Sequence, residues 1–444
     1  MVAKTLQKIR DYFLGSMFRR GASYLTLLTL LSYVMGLFRD ITFARVFGAG
    51  RELDLYNAAF IIPDLLLNIF VASALSAAFI PVFNHLLAEK KEDEAQRTAA
   101  SVLLGAPLLI LLIGIPTFIF MPLIAPHIAP GFSPAELKDL INLSRLMLIS
   151  PLIFAISNTL GNILISYDRF VAYGLSPVLY NLGIIGGAID AASYGPYGLV
   201  FGTIIGALLH LGVRIIGILK SEFILRKPLP LFHKNIRNIF GLMIPRMAGQ
   251  PIEQLTFLAF ANFASRFAAG SISMISFARN FQSVPISVFG ISFATAVFGQ
   301  LSRKAGAQDQ IGFKSAFNET AKILLALSII SAVILAFFGV YFVDFFLGGG
   351  KFDDQAIITT AKLLALFCLA IPSESMMHLL VRSFYAMKDT WTPILISAPG
   401  LLLIIILSKI LAPTLGIYAL PLSYGITSNI EAILLYLILR KRMR

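Results

Sequence analysis

The sequence predicts an all-α polytopic membrane protein, with about twelve transmembrane helices in two six-helix lobes related by a pseudo-two-fold axis along the membrane normal. Three observations predict it. Hydrophobic residues make up 57% of the chain and charged residues only 13%, with a mean hydropathy of +0.83, whereas a water-facing surface needs far more charge. Windows of about 20 apolar residues recur along nearly the whole length. The segments between them alternate in charge, and the chain repeats itself weakly at an offset of about 220 residues.

Residues 1–23 are basic (Lys4, Lys8, Arg10, Arg19, Arg20) and interleaved with Leu6, Ile9, Tyr12 and Phe13. They read as an amphipathic segment on the inner membrane surface and not as a cleavable signal. The N-lobe, residues 24–222, holds six spans that start near Tyr24, Asp54, Thr98, Leu143, Val171 and Tyr197. Residues 223–235 form a cytoplasmic linker. The C-lobe, residues 236–444, holds six more, starting near Ile236, Gly270, Ser315, Ala356, Pro393 and Gly416. One set of connections carries Lys90, Lys91, Arg97, Arg169, Lys220, Arg226, Lys227, Arg303, Lys304 and the basic tail; the other carries little more than Arg51, Lys138, Arg145, Arg266 and Lys351. By the positive-inside rule both termini are cytoplasmic. The net charge of +13 is then a topology signal and an attraction to anionic membrane lipids. No polar domain is present to bind nucleic acid.

The repeat is clearest where GPYGLVFGTIIGALLHLG, from Gly195, parallels GIYALPLSYGITSNIEAI, from Gly416, with Tyr197 answering Tyr418. Pro63 in the second span is matched by Pro285 in the eighth. An even number of spans separates the copies, so the lobes share one orientation and are expected to face each other across a cavity. Pro63 and Pro285 interrupt hydrogen-bond ladders there and are the expected hinges.

Polarity selects the helices that line this cavity. The third span is free of charge and can face lipid all round. Four others carry polar stripes at helical spacing: Ser32, Gly36, Arg39; Asn57, Asp64, Asn68, Ser76; Arg246, Gln250, Glu253, Gln254; and Ser276, Arg279, Asn280, Ser283, Ser287. A charge at bilayer depth costs roughly 2.5–3.5 kcal/mol on insertion scales, so such residues mark the path of polar cargo. Arg39 and Arg279 each lie about 14 Å from the outer ends of their helices, at Gly48 and Gly270. A pair of guanidinium groups suits a phosphate or diphosphate. Asp40, about 100° round the helix from Arg39, braces an arginine or takes a cation. Asp64 and Glu253 are candidates for a coupling cation, a proton relay or local capping. Arg45 is close enough to the interface to snorkel. Arg246, just after Pro245, fits helix opening or snorkelling better than cargo contact.

Other features read as structural. Asp389 in KDTWTP caps the chain before Pro393, and Lys90–Arg97 is a solvated loop. Glu374, His378 and Arg382 share one face near the inner end of the tenth span, as a gate network or an interhelical patch. Cys368 is the sole cysteine, which rules out an internal disulfide and makes a Cys-based metal site an unfit reading. His85, His127, His210, His233 and His378 are scattered, and no paired carboxylates or metal spacing appear, so no enzyme and no metal are expected.

GLFRDITFARVFGAGRELDLYNAAFIIPDLL (Gly36–Leu66) and RSFYAMKDTWTPILIS (Arg382–Ser397) resemble signature stretches of the MurJ (MviN) lipid II flippases, in the multidrug/oligosaccharidyl-lipid/polysaccharide exporter superfamily. The Gly195 and Gly416 segments and AGSISMISFARNFQSVPISVFG (Ala269–Gly290) are similar to their counterparts there. The resemblance implies alternating access that moves a polyprenyl-diphosphate-linked glycan, the peptidoglycan precursor lipid II, from the inner to the outer leaflet. It implies no cofactor, leaves Na+, H+ and the membrane potential open as drivers, and makes cell-wall synthesis proteins the expected partners. Arg39, Asp40, Arg45 and Asp54 match the family's charges of the first helix and the acid after GAG. Counting forward from SISMISFA puts Arg279 at the family's eighth-helix arginine, and counting back from Pro285 puts Asn280 there. The chain also departs from the pattern. Leu67, Asn68 and Ile69 stand where an arginine pair is usual, Ala72 where a glutamate is, and Phe260 where some members have an acid linked to sodium. Family members commonly have fourteen spans. Another lipid-linked polysaccharide unit, or a MATE-like cation-coupled drug antiporter, is the alternative cargo reading, with a non-transporting scaffold behind both.

Overall fold

The computed structural model describes residues 17–72, 74–190, 194–230, 233–247 and 251–443. Residues 1–16 of the expected amphipathic segment and Gln250 of the seventh-span stripe lie outside the described residues, as does the side chain of Arg246. The described chain is helical, with no strand among these residues. In order the helices are α1 (Met17–Phe47), α2 (Arg51–Leu67), α3 (Ala74–Ala88), α4 (Glu92–Ile128), α5 (Pro134–Met147), α6 (Ile149–Ser166), α7 (Phe170–Ile189), α8 (Pro196–Leu219), α9 (Lys234–Met247), α10 (Pro251–Ala264), α11 (Ser271–Pro285), α12 (Ser292–Gly306), α13 (Gln310–Leu347), α14 (Asp354–Phe367), α15 (Ile371–Ala386), α16 (Trp391–Leu415) and α17 (Ala419–Arg442). Among the described residues ten stretches are long and apolar enough to cross a membrane, and one of them, Trp391–Arg442, contains both α16 and α17. The expected seventh span corresponds to α9 and α10, which flank residues 248–250. The expected loop at Lys90–Arg97 is mostly helix, since α4 begins at Glu92, where Glu92, Asp93 and Glu94 complement the helix dipole.

Helix starts follow local chemistry. Ser133 opens α5 with a reciprocal capping box: the Glu136 amide donates to Ser133 Oγ (3.3 Å) and the Ser133 amide donates to Glu136 Oε2 (2.6 Å). Asp309 and Asp353 accept amides of the first turns of α13 and α14. Asp389 accepts the amides of Trp391 and Thr392, and Arg442 ties to the same carboxylate. Gly195 and Gly416, the paired positions of the internal repeat, adopt the same backbone conformation (φ 55, ψ −139 and φ 57, ψ −137), a region open essentially to glycine. The repeat is thus written into the backbone before α8 and α17 alike.

The two prolines expected to act as hinges each precede a break in the α ladder. Pro63 lies inside α2 and is followed by a π turn at Asn68–Ala72; Pro285 ends α11 and is followed directly by a π turn at Ile286–Ile291. Proline cannot donate the i→i−4 bond, which opens the ladder and lets a wider turn form.

The described residues divide into two compact units. One contains the chain up to Val46, Ala58–His127 and Ser133–Gln254; the other contains Phe47–Asn57, Ile128–Phe132 and the chain from Leu255 on. The first is centred on Phe79, Phe83, Ile163, Ile239 and Met243. Within it α7 and α8 approach so closely that a Cβ on Gly183, Gly187, Gly202 or Gly206 would meet facing backbone, a reciprocal small-xxx-small contact. The second is centred on Phe317, Leu379, Leu380, Phe384 and Leu435. On α4, Leu104, Leu108, Leu112, Ile115 and Ile119 are all exposed, as a lipid-facing span requires.

Candidate functional site

In the first unit Arg39 lies about two-thirds of the way along its span, Tyr24–Phe47, roughly 12 Å from the Phe47 end. Its Nε and Nη2 donate to Asp40 Oδ1 (3.1 and 2.9 Å), and Nη1 donates to Asn181 Oδ1 (3.3 Å) on α7. The guanidinium lies 5.8 Å from the Phe43 ring centroid. Its side chain keeps 28% of its accessible surface while that of Asp40 keeps 13%, so the arginine is the presented group and the acid the brace. Asn181 is a partner that sequence reasoning missed. A neutral amide in an apolar helix gives no charge signal, and its partner lies 142 residues away in sequence.

Asp64, on α2 of the same unit, is hydrogen-bonded to Asn68 and lies within electrostatic reach of Glu253 on α10. The structure therefore brings Glu253, of the seventh-span stripe, within electrostatic reach of Asp64 on the second-span stripe it shares with Asn68. Arg45, in the last turn of α1, is exposed.

In the second unit Arg279 on α11 is 8% exposed and lies 4.1 Å from the Phe257 ring centroid and 5.0 Å from that of Tyr424. Two aromatic rings thus pack against the guanidinium as cation–π partners. Asn280, one position on, is exposed, so the two candidates for the eighth-helix site differ sharply in environment.

Asp54, also in the second unit, is fully buried. Its carboxylate accepts three hydrogen bonds: from the Gly270 amide (2.7 Å), the Ser273 amide (2.8 Å) and Ser273 Oγ (2.7 Å). These donors form the N-terminus of α11, where orphan amides and the helix dipole favour an anion. Gly270 makes this possible twice over: it adopts φ +87, and a Cβ there would strike the Ala49 carbonyl. Gly48 is equally constrained against Lys351. Arg51 supports Asp54 at 3.7 Å while stacking 4.8 Å from the Phe132 centroid.

Two further buried groups escaped the sequence reading. Arg214 on α8 is 3% exposed and solvated wholly by neutral groups: it donates to Ser176 Oγ, the Ser157 carbonyl and Asn158 Oδ1 (2.8 Å each) and packs against Tyr173. One turn away, His210 Nδ1 pairs with Ser157 Oγ at 2.7 Å. An arginine four residues after a histidine inside an apolar run was the available signal. Glu431 on α17 fills the space that a Cβ on Gly400 would need.

Comparison with known proteins agrees with this geometry. The model of the family described as "Lipid II flippase MurJ" matches residues 43–444. The lipid II flippase MurJ of Burkholderia cenocepacia is 27% identical over 428 residues, covering 93% of this chain and 82% of the relative. The probable lipid II flippase MurJ of Buchnera aphidicola is 29% identical over 422 residues, covering 92% and 81%. Among solved structures, a lipid II flippase MurJ in an inward closed conformation superposes with a TM-score of 0.80 at 27% identity, covering 94% of this chain and 87% of that one. An inward-facing MATE multidrug transporter of the MOP superfamily also gives 0.80, at 15% identity over 93% and 94% of the two chains, which is a likeness of fold.

Proposed function

The chain belongs to the MurJ family of lipid II flippases, and on that premise we propose how its own residues move the cargo. It is a multi-pass inner-membrane transporter of lipid II, and so serves peptidoglycan synthesis. The observation that carries the residue assignment is Arg39. A guanidinium that is 28% exposed well inside its span, braced by Asp40 and Asn181, presents N–H donors to an anion at a depth where charge is otherwise rare. Arg39 and Arg279 each offer N–H donors to the diphosphate. Asn280, Asn68 and Arg45 supply further polar contacts along the path. Asp64 and Glu253 are suited to coupling transport to Na+, H+ or the membrane potential, because one charge moved through the field is worth about 2.3 kcal/mol per 100 mV.

The clamp of Asp54 on the start of α11 is the natural latch of one end state. Its release frees Phe47–Asn57, and the π turns after Pro63 and Pro285 are where α2 and α11 bend as the state changes. Basic residues gather on one set of connections, which supports cytoplasmic termini, inward loading and outward release. Enzymes that make lipid II inside and consume it outside are the fitting partners.

The test is translocation by purified protein in vesicles, with lipid II set against an unrelated oligosaccharide on the same polyprenyl diphosphate. Lipid II transport that is lost in Arg39→Ala supports the assignment. Transport of the other glycan alone would change the cargo, and undiminished transport by Arg39→Ala would remove Arg39 from the path.

A further inference from the structure

After its π turn the eighth span continues as α12, on which Thr295, Gly299 and Arg303 recur every four residues and form one exposed face. Arg382 of α15 reaches that face. Its Nη2 donates to Thr295 Oγ1 (2.9 Å), and its Nη1 donates to the His378 carbonyl on its own helix (3.3 Å). Arg303 comes to the same face from the other direction: Nη1 lies 3.6 Å from where a Cβ of Gly299 would be, so the side chain folds back over the bare glycine. Thr295 and Gly299 are one turn apart, which sets the two guanidinium groups at levels about 6 Å apart.

Among the described residues neither arginine forms an ion pair. The contrast with the next residue is direct, since Lys304 is neutralised by Asp309 at 3.1 Å. The hydrogen bonds of Arg382 use only part of its five-donor fork. Depth adds a second constraint. About 20 residues from Ser271 use up the roughly 30 Å hydrocarbon core, which puts Thr295 and Gly299 at the inner headgroup level, where phosphates of lipid-linked cargo lie. A single phosphodiester, as in a phospholipid, occupies one guanidinium. A diphosphate presents two phosphoryl groups and can occupy both, each through charge-assisted bonds.

We propose that Arg382, Thr295 and Arg303 form a receiving subsite for the diphosphate of lipid-linked cargo, at the cytoplasmic end of α12 and about 24 Å along the same span from Arg279. Cargo loads there before it reaches the deeper arginine. The assignment rests on the lipid II reading for the source of the diphosphate, but not for the chemistry of the site.

The full chain in phosphatidylcholine nanodiscs, carrying Arg39→Ala and Arg279→Ala so that the deep arginines are silent, is titrated with inorganic pyrophosphate, undecaprenyl diphosphate and phosphatidylglycerol. Both diphosphates are expected to bind. Arg382→Gln or Arg303→Gln should weaken each at least tenfold, Arg382→Lys should recover part, and Thr295→Val should cost less than either. Pyrophosphate binding that vanishes with the deep arginines alone, or survives Arg382→Gln unchanged, overturns the subsite. Equal losses in Thr295→Val and Arg382→Gln, with a lowered melting temperature, would make Arg382 a structural tie. Displacement of pyrophosphate by phosphatidylglycerol at equal affinity would make the pair a lipid anchor. In the otherwise unmodified chain, Arg382→Gln should raise KM for lipid II several-fold and leave kcat near its starting value. Diphosphate binding by a chain that moves no lipid II would sink the cargo reading and keep the subsite.

Discussion

Asp54→Asn is the sharpest test of the latch. In the native chain one carboxylate satisfies two backbone amides and a hydroxyl at the start of α11, at 2.7 to 2.8 Å, with no exposure to solvent. Asparagine keeps one carbonyl oxygen and turns the other acceptor into a donor. Either the Gly270 or the Ser273 amide is then left facing an N–H group. A buried donor without an acceptor costs about 1–3 kcal/mol. The remaining bonds lose their charge assistance, and the α11 dipole loses its anion, which adds about 0.3–1 kcal/mol or more. A total of about 3 kcal/mol changes the clamped-to-released ratio on the order of 10²-fold, since 1.4 kcal/mol is tenfold. Amide hydrogen exchange of Gly270 and Ser273 in nanodiscs reads this directly, because those amides exchange only when the clamp opens. Their protection should fall on the order of 10²-fold, while the core amides of α13 stay unchanged. Unchanged protection at both amides would refute the latch, whatever happened to transport.

Three other outcomes are expected. Gly202→Val drives a side chain into the Gly187 and Gly183 backbone, so α7 and α8 must separate at a cost of about 1–3 kcal/mol, and transport should fall with the melting temperature as Asn181 leaves Arg39. Arg214→Ala removes the hub that satisfies Ser157, Asn158 and Ser176; a loss of about 3–5 kcal/mol in a denaturation assay is expected, as for a broken buried charge network. Burial works to raise the Asp389 carboxyl, but hydrogen bonds from Thr392 and the Arg442 guanidinium outweigh it and hold the pKa at about 2, below the ordinary 3.8. Because the folded value is depressed, its stabilisation is complete above pH 3.8 and is lost as pH falls toward 2; melting curves of Asp389→Asn and wild type should differ at pH 7 and converge near pH 2.

The sequence carried the helical architecture because span length and loop charge are local properties. Gly195 and Gly416 were readable as a repeat, and their matched backbone angles give the reason glycine stands at both. Pro63 and Pro285 marked where the ladders break, but proline alone does not specify a π turn, which depends on how the next carbonyls find donors. Asp54 was visible as an acid after GAG. Its partners, more than 200 residues away, were not, because they are backbone amides that carry no side-chain signature. Arg279 was legible as a deep charge, while one of its ring contacts depends on Tyr424, an aromatic residue indistinguishable in sequence from its many neighbours. Asn181 and Glu431 show the same limit, since Asn181 acquires meaning only from Arg39, 142 residues away, and Glu431 from the bare backbone of Gly400.

The π turn at Ile286–Ile291 sets the phase of the eighth span. In an uninterrupted α-helix, the sixteen steps from Arg279 to Thr295 would turn through 1,600°, which leaves the two residues about 160° apart on nearly opposite sides. A π turn absorbs one surplus residue, so the effective advance is fifteen steps and the offset closes to about 60°. Arg279 and Thr295, the residue to which Arg382 donates, are thereby brought toward a common azimuth at two depths by a single extra residue. Deleting one residue within this turn would keep Thr295 near its level along the helix axis, swing it out of line with Arg279 and break its hydrogen bond with Arg382.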